Sequence, residues 1–303
     1  MATMTYKELL HGIITPVITP MDEKENICED QLRVQIDRLI EAGVHGIFAF
    51  GTNGEGYILS REEKERVLSI VIEQTAGRVP VYAGTGCIST RETIELSVKA
   101  QELGVDVLSV ITPSFAAASQ EELYQHYKAV AESVSIPVVL YNIPARTGNA
   151  LSPATVERLS RLEHIAGVKD SSGNFDNILQ YIERTSDRDF AVLSGNDSLI
   201  LWTLFAGGTG GIAGCSNVYP ETLASIYNSF VSGNLKEAKR CQNSIRSLRN
   251  CFQFGNPNTV IKEAVGMLGY PVGHCRRPFH MLSEEGRAAL KRVLDQNAGN
   301  GMK

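Results

Sequence analysis

Eight short runs rich in Val and Ile recur along the 303-residue chain, and the stretches between them carry apolar residues at helical spacing. The runs are Gly12–Ile18, His45–Phe50, Val79–Gly84, Val105–Ile111, Ile136–Tyr141, Ile165–Lys169, Phe190–Ser194 and Gly210–Ala213. Each is too short for a helix and reads as a strand buried on both faces. Between and after them, Asp30–Ala42, Ser60–Thr75, Thr90–Leu103, Gln120–Ser133, Ser152–Leu162, Asn174–Arg184, Leu199–Ala206 and Glu221–Val231 read as amphipathic helices. Ser60 and Ser119 each stand three residues ahead of a Glu, the capping-box pattern, and Ser152-Pro153 supplies a cap followed by Pro at the first turn. Strict alternation predicts an α/β fold, a (β/α)8 TIM barrel of parallel strands ringed by helices. An open doubly wound sheet is the other layout that alternation allows, and the count of eight favours closure.

Beyond the eighth unit, helical patterns near Leu235–Asn250, Thr259–Leu268 and Glu284–Asp295 exceed what a barrel needs. The expected division is therefore a catalytic barrel over 1–233 and a C-terminal helical extension over 234–303 packed on it, covering barrel surface or building an oligomer. The small polar residues from Asn297 to Lys303 are expected to fray.

With 43% hydrophobic and 21% charged residues the chain has an ordinary globular composition. The net charge of -5 and the scattered Lys and Arg argue against nucleic acid, and no apolar run reaches spanning length, so neither nucleic acid nor membrane is an expected partner. The six cysteines contain no C-x-x-C pair and read as thiols of a reducing compartment, which makes the cytoplasm the expected location. The six histidines, His11, His45, His126, His164, His274 and His280, show no H-E-x-x-H or other ligand spacing, so no metal is expected.

In a barrel, chemistry collects where strands end. Tyr141 and Lys169 close consecutive strands. A lysine at a buried strand end can give up its proton through desolvation and attack a carbonyl, and a neighbouring tyrosine can carry protons to and from the adduct. Gly51-Thr52-Asn53-Gly54-Glu55 after the second strand is a suitable cradle for a carboxylate; the alternative is a solvent-facing turn whose glycines supply positive φ. Arg146, behind Pro144, sits in a stiff turn where a guanidinium can hold a second carboxylate. The run Gly207-Gly208-Thr209-Gly210-Gly211 lacks nucleotide-loop spacing and reads as close packing or a turn.

These residues resemble one family along nearly the whole chain. Gly51-Thr52-Asn53-Gly54-Glu55, Tyr141-Asn142-Ile143-Pro144-Ala145-Arg146-Thr147-Gly148, Gly167-Val168-Lys169-Asp170, Gly207 to Ile212 and Asn256-Pro257 are similar to the motifs of the dihydrodipicolinate synthase / N-acetylneuraminate lyase family of class I pyruvate-dependent aldolases. The resemblance implies a lyase that needs no cofactor beyond a covalent imine between pyruvate and Lys169, acts on a 2-keto acid and an aldehyde, and assembles as a homotetramer, a dimer of dimers. It assigns Tyr141 to the proton relay, Thr52 to catalysis, Thr52 and Asn53 to the pyruvate carboxylate, Arg146 to the carboxylate of aspartate semialdehyde, and the backbone around Ile212 to the pyruvate pocket.

Departures from the family pattern bear on the substrate. Synthases of this kind commonly carry two tyrosines in the fourth loop, the second reaching across the dimer into the relay; this chain has Ser114 and Phe115 there. Water, Ser114 or Tyr57 are the candidates to replace the hydroxyl that Phe115 lacks. Of the positions forming the lysine effector site in inhibited synthases, only Glu92 matches, so feedback inhibition by lysine is not expected. The first reading is a 4-hydroxy-tetrahydrodipicolinate synthase joining pyruvate to aspartate semialdehyde. The alternatives are a 2-keto-3-deoxy sugar acid aldolase or dehydratase, an enzyme like N-acetylneuraminate lyase, and a barrel that binds ligand without catalysis.

Overall fold

The computed structural model describes residues 4–279 and 281–303. His280 lies outside them. All eight expected strands form: β1 (Gly12–Pro16), β2 (Gly46–Ala49), β3 (Val81–Gly84), β4 (Val107–Ile111), β5 (Val138–Asn142), β6 (Ile165–Asp170), β7 (Ala191–Ser194) and β8 (Gly210–Ile212). Their hydrogen-bonded order runs from β1 to β8 and closes as a barrel. Almost every strand position is buried, which explains why the runs read as continuously apolar.

The expected helices form with ends shifted by a few residues: Ser152–Leu162 shortens to Pro153–Leu159, and Glu284–Asp295 lengthens to Glu284–Gly299. Ser60 and Ser119 make reciprocal capping boxes with Glu63 and Glu122, and Ser152 caps onto the Thr155 N–H with Pro153 behind it. Each such cap is worth about 1 kcal/mol. The expected helix Leu235–Asn250 is broken into Leu235–Ser244 and Arg246–Asn250. Short helices at Tyr6–Leu9 and Pro144–Thr147 escaped the periodicity because a single turn has no period.

The glycine run leading into β8 takes both expected roles: Gly207 turns the chain at a φ of 99°, and the later glycines pack closely. A Cβ at Gly210 would strike the Gly12 backbone, one at Gly208 would strike Thr203, and one at Gly211 would lie 2.7 Å from Ile200 Cγ1. The chain's end does not fray. Its last helix runs to Gly299, Asn297 donates to the Tyr219 hydroxyl at 3.1 Å, and the Thr222 N–H donates to the Lys303 carbonyl at 2.9 Å. Composition reads a small polar tail as solvated; here the polar groups find partners on the helix Pro220–Val231.

Contacts group the chain into two compact units. One is Pro80–Ile212 with the chain up to Gly12; the other is Ile13–Val79 with Ala213–Lys303. The first holds β3 to β8, and the second holds β2 and the helices that follow Ala213.

Candidate active site

Tyr141 and Lys169 are brought together by an irregularity that spacing alone does not reveal. At its start β5 pairs Val138 with Ile165, but one residue later Val139 pairs with Gly167, so β6 carries one extra residue, Ala166. Continued without the bulge, the first register would set Tyr141 opposite Val168 and turn Lys169 to the other face, because a one-residue slip flips every side chain. With it, Tyr141 pairs with Lys169. Both side chains then share a face. Each is only 4% exposed, and the Lys169 Nζ stands over the Tyr141 ring, 3.8 Å from its centroid.

The next residues, Asn142 and Asp170, point to the opposite face and lock the two strand ends. Asn142 and Asn177 both donate to Asp170 Oδ2 at 2.8 Å, while the Ser172 hydroxyl and N–H hold Oδ1 at 2.6 and 2.9 Å. Asn142 Oδ1 accepts from the Leu151 N–H at 3.0 Å. Burial, with the Asp170 charge as second cause, raises the pKa of the adjoining Tyr181 phenol, which donates to the Leu151 carbonyl at 2.6 Å. Sequence reasoning gave Asn142 and Asp170 no role, although both stand inside its motifs.

Gly195, at the exit of β7, was another omission. A Cβ there would strike the Ser171 hydroxyl and lie 2.8 Å from Lys169 Cε, and its N–H donates to the Asp170 carbonyl at 2.7 Å. Only a glycine lets the chain pass beside the lysine stem. Ser171 Oγ, packed against the same point, is buried and has no hydrogen-bond partner among the described residues.

The remaining expected residues of this unit lie outside the β5–β6 pair. Arg146 is exposed on the single turn Pro144–Thr147, which is fixed by a hydrogen bond from the Thr112 hydroxyl to that of Thr147 at 2.8 Å. Ser114 is partly buried, whereas Phe115 adopts a positive φ of 82° and is 99% exposed. Asn149 holds this loop by donating to the Pro113 and Ala116 carbonyls at 2.9 and 2.8 Å. Ile212 ends β8 and is buried.

In the other unit, the loop after β2 removes the alternative reading, in which its glycines supply positive φ. Phe50 and Glu55, not Gly51 or Gly54, have positive φ. The glycines serve close approach instead: a Cβ on Gly54 would lie 2.8 Å from the Val17 carbonyl oxygen, and one on Gly51 3.0 Å from the Phe48 ring. The Asn53 amide lies beside Gly214, whose Cβ would be 3.0 Å from Asn53 Oδ1. Asn258 donates to the Thr52 carbonyl at 2.6 Å and to the Tyr57 hydroxyl at 3.2 Å. Glu55 is fully buried, accepting from Lys262 Nζ at 2.7 Å and from the Arg276 N–H at 2.8 Å. Lys262 had a visible signal: with Glu263 it carries the only charge in the run Asn258–Leu268, where a charge can be buried only if paired.

A closed eight-stranded barrel with a buried lysine–tyrosine pair has clear relatives. The model of the dihydrodipicolinate synthetase family matches residues 9–297. The chain belongs to this family. A 4-hydroxy-tetrahydrodipicolinate synthase of Methanopyrus kandleri is 40% identical over 94% of this chain and 95% of its own length. Among solved structures of the family, YagE, a prophage protein of E. coli K12 crystallised with pyruvate, superimposes with a TM-score of 0.92 at 35% identity, covering 96% of this chain and 99% of its own. A dihydrodipicolinate synthase variant described as monomeric superimposes at 0.93 with 30% identity, over 96% and 98%.

Proposed function

We propose that this member of the dihydrodipicolinate synthetase family is a lysine Schiff-base lyase of the 4-hydroxy-tetrahydrodipicolinate synthase type, condensing pyruvate with aspartate semialdehyde. The observation that carries the reading is the buried Lys169 Nζ 3.8 Å from the Tyr141 ring centroid, in a chain with this family membership. The amine of Lys169 adds to the keto carbon of pyruvate, and water leaves as Tyr141 delivers a proton to the departing hydroxyl. The iminium then withdraws electrons from the methyl carbon, which loses a proton to give an enamine that adds to the aldehyde; in reverse, the same sink cleaves a carbon–carbon bond. Thr52 and Asn53 hold the pyruvate carboxylate, the backbone at Ile212 lines the pocket, and Arg146 takes the second carboxylate. Ser114, Tyr57 or water supplies the hydroxyl that Phe115 lacks.

A second reading, a 2-keto-3-deoxy sugar acid aldolase, is favoured by Ser114 and Phe115, which stand where synthases of this kind carry two tyrosines. Condensation with aspartate semialdehyde against cleavage of 2-keto-3-deoxygluconate separates the two. The assembly we propose is a homotetramer, a dimer of dimers, in which exposed Phe115 is covered. The cysteine pattern supports a cytoplasmic setting; no helix among the described residues is long and apolar enough to cross a membrane.

Borohydride reduction with a panel of 2-keto acids, followed by peptide mass mapping, tests the shared half-reaction. A pyruvate-sized increment on the peptide containing Lys169 is expected, and Lys169→Ala should abolish it while the fold survives. No increment with any keto acid would remove the mechanism and leave a ligand-binding barrel.

A further inference from the structure

We propose that Asn258, Lys262 and Glu55 form a positioning clamp that sets how tightly the loop Gly51–Glu55 binds the substrate carboxylate; this rests on the imine reading above. Asn258 and Lys262 stand one turn apart on the helix Pro257–Met267, and both are buried. They therefore face the loop together.

Asn258 grips the Thr52 carbonyl at 2.6 Å. In a planar trans peptide the carbonyl of Thr52 and the N–H of Asn53 point in opposite directions. Holding the first toward the helix aims the second away from it, as a donor for an anion. The Thr19 hydroxyl holds the Gly54 carbonyl at 2.7 Å, and the Glu55 N–H donates back to the Thr52 carbonyl at 3.2 Å, closing the turn. Glu55 itself, at a φ of 58°, anchors the loop's end through Lys262 and the Arg276 N–H.

The ion pair is a poor choice for stability alone. Lys262 and Glu55 side chains are 1% and 0% exposed, and stripping water from two charges costs about as much as their attraction returns, so an apolar pair would serve a core equally well. A pair of fixed length and direction does what an apolar contact cannot: it sets where the loop backbone lies. None of these groups touches the reacting carbon in this scheme, so they position and do not catalyse.

The test uses the full-length chain and reads the pyruvate concentration that half-saturates borohydride trapping at Lys169, a quantity independent of the aldehyde. Asn258→Ala and Lys262→Met should raise it ten-fold or more while the yield at saturation stays within two-fold, the pattern of lost uniform binding. Glu55→Gln, which keeps acceptor and shape, should raise it less than Glu55→Ala. Val265→Ala, on the same helix but outside the clamp, should melt lower without moving it. Should Lys262→Met not fold, Asn258→Ala decides. Half-saturation at the wild-type concentration in folded Asn258→Ala, or an equal shift in Val265→Ala, would overturn the clamp. Failure of the wild type itself to trap any keto acid would overturn the imine reading, and the clamp with it, before any variant is made.

Discussion

Tyr141 meets Lys169 through the face of its ring, with both groups at the closed end of a register set by Ala166. If its phenol relays protons, Tyr141→Phe should keep the ring under the amine and lose the relay, slowing turnover by about two to three orders of magnitude. Single-turnover imine formation measures this, and turnover within a factor of three of wild type would exclude the relay. Both residues were legible in the sequence because each ends an apolar run. The bulge that aligns them was not, since pairing between strands leaves no local pattern. Glu55 shows the same limit more strongly: its partners stand 207 and 221 positions away, so nothing near it distinguishes a fully buried anchor from one more acid in a turn.

The helix Gln120–Glu132 carries a pH response unrelated to the candidate site. Its His126 is buried against the Tyr127 ring; Nδ1 lies 2.9 Å from the Thr90 hydroxyl, and Nε2 has no partner among the described residues. Desolvation lowers its pKa from 6.5 to about 4. Between these values the unfolded chain binds the proton and the folded protein does not, so stability is full above the upper value and falls as pH drops through the window, by about 3 kcal/mol at most. His126→Asn should melt with a smaller loss between pH 7 and pH 4.5 than wild type; equal losses in thermal melts would assign the acid sensitivity elsewhere. At this scale the helices were legible through caps and periodicity. Their ends moved where side chains from distant helices, as at Asn297 and Tyr219, satisfied groups that composition assigns to water.

For the whole molecule, closure of the barrel followed from counting, because eight alternating units leave few other layouts. Assembly was not legible in the same way, as a surface shows no periodicity. Phe115 gives a handle on it: a fully exposed aromatic at positive φ is costly unless something covers it. If the proposed tetramer forms, Phe115→Ser should weaken it, seen in sedimentation velocity as a shift toward smaller species; an unchanged profile would place the interface elsewhere.

The loop that begins at Gly51 is synthesised about two hundred residues ahead of three of the groups that fasten it, Asn258, Lys262 and Arg276. Glu55 therefore lacks its lysine partner until position 262 is made. A chain cut before Asn258 should leave this turn unfastened and more open to protease than the same turn in the intact protein.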